Sequence, residues 1–209
     1  MAASLRVRVA VCLLLCGLVP WAGVKTVWTL GGDALGVAGE AWLRGVEESG
    51  DAFYQALAAV GVDVTVLMAL LGVFLALGLV HRWGMVFPRW TLFLAGRRVP
   101  ALLPLVPAWG VGLCLAVYGV VLLVMVPLGL AGVIAPVAPM EPFTSSGGLN
   151  WMIFFGGLAF EGLGSALLVG AWSYGRRVSA ARRAAGPTAP QRRRAGRSPG
   201  RSGAGTPAA

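Results

Sequence analysis

The sequence predicts an all-α membrane protein: a four transmembrane helix bundle with short interfacial helices and a disordered C-terminal tail. Three observations predict it. Hydrophobic residues make up 57% of the 209-residue chain and charged residues 12%, against about 25% charged in a soluble domain, and mean hydropathy is +0.79. Four apolar stretches are each long enough for the roughly 30 Å hydrocarbon layer, which takes about 20 residues. Basic residues cluster in alternate connections. These features divide the chain into a transmembrane domain, residues 1–178, and a tail, residues 179–209.

The first span is residues 7–30, with Lys25 near its far end. Arg6 and Arg8 before it also fit the n-region of a signal peptide. Cleavage after Ala22 would leave Pro20 at the third position back, a poor site, so the stretch reads as an uncleaved helix. The loop over residues 31–61 mixes Asp33, Glu40, Glu47, Glu48 and Asp51 with Leu35, Trp42, Val46, Phe53 and Leu57. Apolar residues at steps of three, four or seven predict one or two short amphipathic helices on the outer surface. They read as a lid with one solvated face, or alternatively as a cation-attracting or partner-binding cap.

The second span is residues 62–80. The connection after it, residues 81–100, alternates aromatic and basic residues and is expected along the inner interface, with its arginines reaching anionic lipid headgroups. No charge occurs between residues 99 and 140. Pro104 and Pro107 favour an irregular lead-in, because proline is tolerated best near a helix start. Pro136 and Pro139 suit an extended exit. One span over residues 108–134, kinked at Pro127, fits this punctuation. Splitting the stretch in two would put the arginine tail outside. The fourth span is residues 150–174 and contains Glu161.

Orientation follows from lysine and arginine in the connections. Arg6 and Arg8 precede the first span; Arg82, Arg89, Arg97 and Arg98 lie between the second and third. The tail adds Arg176, Arg177, Arg182, Arg183, Arg192, Arg193, Arg194, Arg197 and Arg201, whereas the two remaining loops hold only Arg44. This bias places both termini in the cytoplasm, as an even number of spans requires. Trp28, Trp83, Trp109, Trp151 and Trp172 fall near span ends, where amphipathic rings prefer the headgroup level.

The tail beyond Arg177 is Arg, Ala, Gly, Pro, Ser, Thr, one Gln and one Val. It cannot bury an apolar face and reads as disordered. It dominates the formal net charge of +9. No aromatic residue interleaves to stack on bases, which favours anionic lipid or topology enforcement over nucleic acid.

Three residues form a candidate intramembrane polar site: Glu161, Lys25 and Asp63. A charged carboxylate near the bilayer centre costs about 3 kcal/mol on insertion scales, so Glu161 is expected to face the interior, paired or protonated. Ser165 and Trp172 share its helix face. It serves either a proton or cation site or a structural hydrogen bond. Lys25 sits roughly 10 Å outward of the first span's midpoint at 1.5 Å per residue. Asp63 falls at similar depth, making Lys25–Asp63 the better pair; snorkelling of Lys25 to the outer headgroups is the competing reading. Cys12, Cys16 and Cys114 lie in apolar runs and behave as small hydrophobes. His81 lacks a spaced ligand partner, so no metal and no cofactor is implied. Small residues recur every fourth position, at Cys12 and Cys16, Gly72 and Ala76, Ala108, Gly112 and Ala116, and Gly162, Ala166 and Gly170; such stripes let helix backbones approach in lipid.

Two stretches carry a resemblance. VPWAGVKTVWTLGG, residues 19–32, and RWGMVFPRWTLFLAGRRVP, residues 82–100, resemble the first-helix end and the inner connection of a group of uncharacterised small multi-pass integral membrane proteins of high-GC actinobacteria. The WSYGRRV exit, residues 172–178, is similar to theirs, and Trp21 replaces their more usual tyrosine. The resemblance covers about a third of the chain and implies an uncleaved first helix and a plasma-membrane location. It implies no activity, and Glu161 belongs to none of these stretches.

The residues contain no nucleophile–base set, phosphate-cradling glycine loop or metal cluster. The expectation is a structural, regulatory or partner-binding membrane component and not an enzyme. The alternative is a small transporter or channel subunit using the intramembrane carboxylate.

Overall fold

A computed structural model describes residues 2–81, 83–85, 99–135, 137–138 and 141–184. The described residues are helical, with no strand beyond an isolated Ala34–Val37 bridge. The helices are α1 (Leu5–Leu15), α2 (Leu18–Thr29), α3 (Gly39–Ser49), α4 (Ala52–Ala59), α5 (Val64–Val80), α6 (Leu102–Leu130) and α7 (Ser146–Ala184), with a 3-10 turn at Trp83–Met85.

Three stretches are long and apolar enough to cross a membrane: Leu5–Thr29, Leu102–Leu130 and Ser146–Ala184. The fourth expected span is α5, whose 17 residues rise roughly 26 Å. It meets α4 at an 88° bend, and the two together qualify as a broken span.

The first span is interrupted at Cys16–Gly17 between α1 and α2. Gly17 sits there because a Cβ would collide with the Leu158 carbonyl of α7. The lead-in expected before the third span is instead helical: α6 begins at Leu102 and carries Pro107 within it. Pro104, in the first turn, gives up an amide that has no intrahelical acceptor there anyway. Residues 131–134 are turn and bend. At the other end α7 runs on to Ala184, so residues 179–184, expected in the tail, are helical. Their Ser-Ala-Ala-Arg-Arg-Ala sequence is dominated by strong helix formers. The remaining tail, residues 185–209, lies outside the described residues, as do Arg82 and residues 86–98 of the inner connection and Pro136 and Pro139 of the expected exit.

Helix α7 is the central post. α1, α2, α5 and α6 all pack on it, α6 most extensively, while α1 and α6 make no substantial contact with each other. Glycines set these approaches. A Cβ on Gly164 would strike Ala116 N and the Gly112 carbonyl of α6; one on Gly119 would strike the Glu161 backbone; one on Gly162 would strike the Leu14 carbonyl. Gly72 and Gly170 likewise receive Leu163 and Leu79 across the α5–α7 contact. The small-residue stripes of α5, α6 and α7 are therefore contact surfaces, whereas Cys12 and Cys16, with Cys114, are exposed.

The loop over residues 31–61 folds into α3 and α4. Val46 of α3 and Ala58 of α4 are buried. At the opposite end Arg177 donates from Nε to the Ser173 carbonyl at 3.3 Å and from a guanidinium nitrogen to the Leu79 carbonyl. It thus satisfies an acceptor at the end of α5 that no further turn of helix could reach.

Candidate functional site

Lys25 lies one turn from the end of α2, and Asp63 is the residue that starts α5. Short aspartate side chains suit this position because they accept from the first free amides of the helix. Asp63 Oδ1 accepts from Thr65 N at 2.7 Å and Val66 N at 3.2 Å and from the Thr65 hydroxyl. Its other oxygen, Oδ2, accepts from Lys25 Nζ at 3.5 Å and from the Tyr54 hydroxyl at 3.1 Å. The carboxylate side chain is 1% exposed and the lysine side chain 10%. Both charges are thus out of solvent, and both carboxylate oxygens are occupied.

The outer cap closes over this pair. Trp42 of α3 lies with its ring centroid 3.9 Å from Lys25 Nζ, a distance at which the ring quadrupole attracts the ammonium. Trp42 stacks on Trp28 of α2 at 5.0 Å, and Phe143 meets Trp28 edge-on at 5.8 Å. Trp28 donates from Nε1 to the Ala34 carbonyl at 3.0 Å, so its one polar atom is satisfied although the ring is fully buried. Trp28 lies at the end of α2, and Trp42 of α3 covers it. Trp83, Trp109, Trp151 and Trp172 remain 39–54% exposed. Burial and the Asp63 carboxylate push the Tyr54 phenol above its usual range, which keeps it a hydrogen-bond donor.

Two cavities flank the network. An outer one of about 520 Å³ is lined by Trp42, Arg44, Glu48, Tyr54, Glu141 and Phe143 among others. One of about 740 Å³ lies between α2, α5, α6 and α7; its lining is apolar except for Lys25 and Thr65 at one end. Tyr54, Asp63 and Lys25 thus form a continuous polar chain from the first cavity to the one between the helices. No family model, curated protein or solved structure matches the chain.

Glu161 stands apart from this network. The Ser165 hydroxyl donates to its Oε1 at 2.6 Å, and among the described residues that is its one polar partner. Its side chain, expected in the interior, is half-buried against α6. The cause is steric: glycines bring α6 onto the Glu161 backbone at Gly119, and the α5-facing side of α7 is filled by Leu163 and Leu167. A long carboxylate on this helix is left with the seam between α6 and α1. The structure therefore joins Lys25 to Asp63 and leaves Glu161 separate.

Tyr54, Thr65 and Trp28 were not legible as site residues in the sequence. Thr65 carried a usable signal, since Asp-x-Thr before an apolar run marks a helix start. Tyr54 carried none. Among the described residues, no group of His, Cys, Asp and Glu could hold a metal ion.

Proposed function

We propose that the chain is a four-span protein of the cell (plasma) membrane with both termini cytoplasmic, related to the multi-pass actinobacterial group it resembles. It acts as a structural or regulatory component that binds a membrane partner. One observation carries this reading: Lys25 and Asp63 are consumed by each other and by Tyr54, Thr65 and Trp42. A buried pair satisfied in this way holds an architecture together and offers a substrate no free donor or acceptor. The apolar lining of the intramembrane cavity supports the same reading, because a conducting path needs polar groups or water along its length. The alternative, transport through an intramembrane carboxylate, requires Glu161 on such a path.

Two measurements test the proposal. Topology reporters after Gly61, Gly96, Gly148 and Tyr174 should read outside, inside, outside, inside; a three-span pattern refutes the topology. The full-length protein, extracted at native abundance, should run in a complex larger than one chain with its detergent. Migration alone, or cation-dependent flux in liposomes lost in Glu161→Gln, refutes the partner-binding role.

A further inference from the structure

The face of α7 that carries Glu161 is continuous. At 100° per residue, Trp151, Phe154, Leu158, Glu161, Ser165, Trp172 and Arg176 fall on one side of the helix. Trp151 and Trp172, at the two ends of the stripe, are 54% and 53% exposed. Glu161 lies midway, at the level where Gly162 meets Leu14 of α1. Its neighbours on either side are pinned to other helices: Gly157 and Gly164 to α6, Gly162 to the α1–α2 break. The carboxylate cannot reach the interior by a small rotation of α7. In the proposed topology the seam opens on hydrocarbon, where a carboxylate with one hydroxyl partner is under-satisfied.

From this geometry we infer that the Glu161 stripe of α7, in the seam between α1 and α6, is the docking surface for a transmembrane helix of another protein. That partner helix carries a lysine, arginine or histidine at mid-membrane depth. The inference rests on the partner-binding reading above and names its surface and chemistry. Charge complementarity decides the occupant. Within this chain's own spans Lys25 is closed into the ion pair with Asp63. Arg8 lies in the first turn of α1, six residues or roughly 9 Å from Leu14 along the axis. A second copy, inserted in parallel, thus brings no cation to the level of Glu161. The free side of the carboxylate fits a donor from a different chain. Ser165, the small residue on the stripe itself, leaves room beside the carboxylate for an approaching side chain.

The test uses the full-length protein in its native membrane, with a photocrosslinking residue at Phe154 or Leu158, and at Leu70 on α5 as a control. Phe154 and Leu158 should give one adduct with an apolar helix containing a basic residue, and Leu70 should not. Glu161→Gln should cut the adduct at least about ten-fold, and Glu161→Lys should abolish it. Replacing the partner's basic residue by Glu should then restore it with Glu161→Lys. That rescue is independent of how well the single variants insert. An adduct with a second copy of the chain, equal adducts from Leu70, no adduct, or no rescue each overturns the inference. If the native complex persists while crosslinks come from another face, the surface is wrong and the partner-binding role stands. If the chain migrates alone, both fall.

Discussion

Asp63 accepts five hydrogen bonds on two oxygens, and they serve three ends. Three of them start α5, one neutralises Lys25 and one holds Tyr54 of the outer cap. Removing one charge from a buried pair strands the other, which costs about 3–5 kcal/mol, whereas removing both is often nearly neutral. Asp63→Asn keeps a capping oxygen but leaves Lys25 unpaired, so it should lose stability on that scale. Lys25→Met/Asp63→Asn should be clearly milder than Asp63→Asn alone. Denaturant titration of the purified protein in micelles checks the order. Tyr54→Phe should cost about 1 kcal/mol, the worth of one hydrogen bond, in the same titration. The depth match of Lys25 and Asp63 was legible because helical rise fixes depth from position alone. The side on which Glu161 emerges was not. It depends on where Gly119 and Gly162 admit α6 and α1, contacts between residues far apart in sequence.

Helix elements are governed by where backbones touch. Gly119 and Gly110 lie on the same helix, but a Cβ on Gly119 meets the backbone of Glu161 while one on Gly110 meets nothing within 4 Å. Gly119→Ala should therefore lose about 1–3 kcal/mol through overpacking. Gly110→Ala should be neutral or gain up to about 1 kcal/mol from helix propensity. Thermal unfolding of the two variants side by side separates these outcomes. Apolar runs announced α6 and α7 because hydrocarbon thickness dictates their length. Their ends were less legible. Pro104 and Pro107 read as breakers, yet α6 begins before both: Pro104 falls in the first turn, where a missing amide costs little, and Pro107 lies inside the helix. Residues 179–184 read as tail because they cannot bury an apolar face, but a helix already begun can extend through Ala and Arg without one.

At the scale of the molecule, the all-helical class was legible from composition and periodicity, and so was the pair of short outer helices, α3 and α4. The arrangement of the helices was not, because stripes of small residues occur on several spans and do not say which pairs meet. Helix α7 settles this by touching each of α1, α2, α5 and α6, and it is the last of them to be made. In chain order those four helices all precede the surface they share. Few of their contacts are with one another. The packed arrangement is therefore completed only by α7. Chains stopped after Ala135 should insert normally but stay open to protease at the outer loop, and supplying residues 141–209 as a separate chain should protect them. Truncation before α7 thus removes, in one cut, the packing surface that all four helices share.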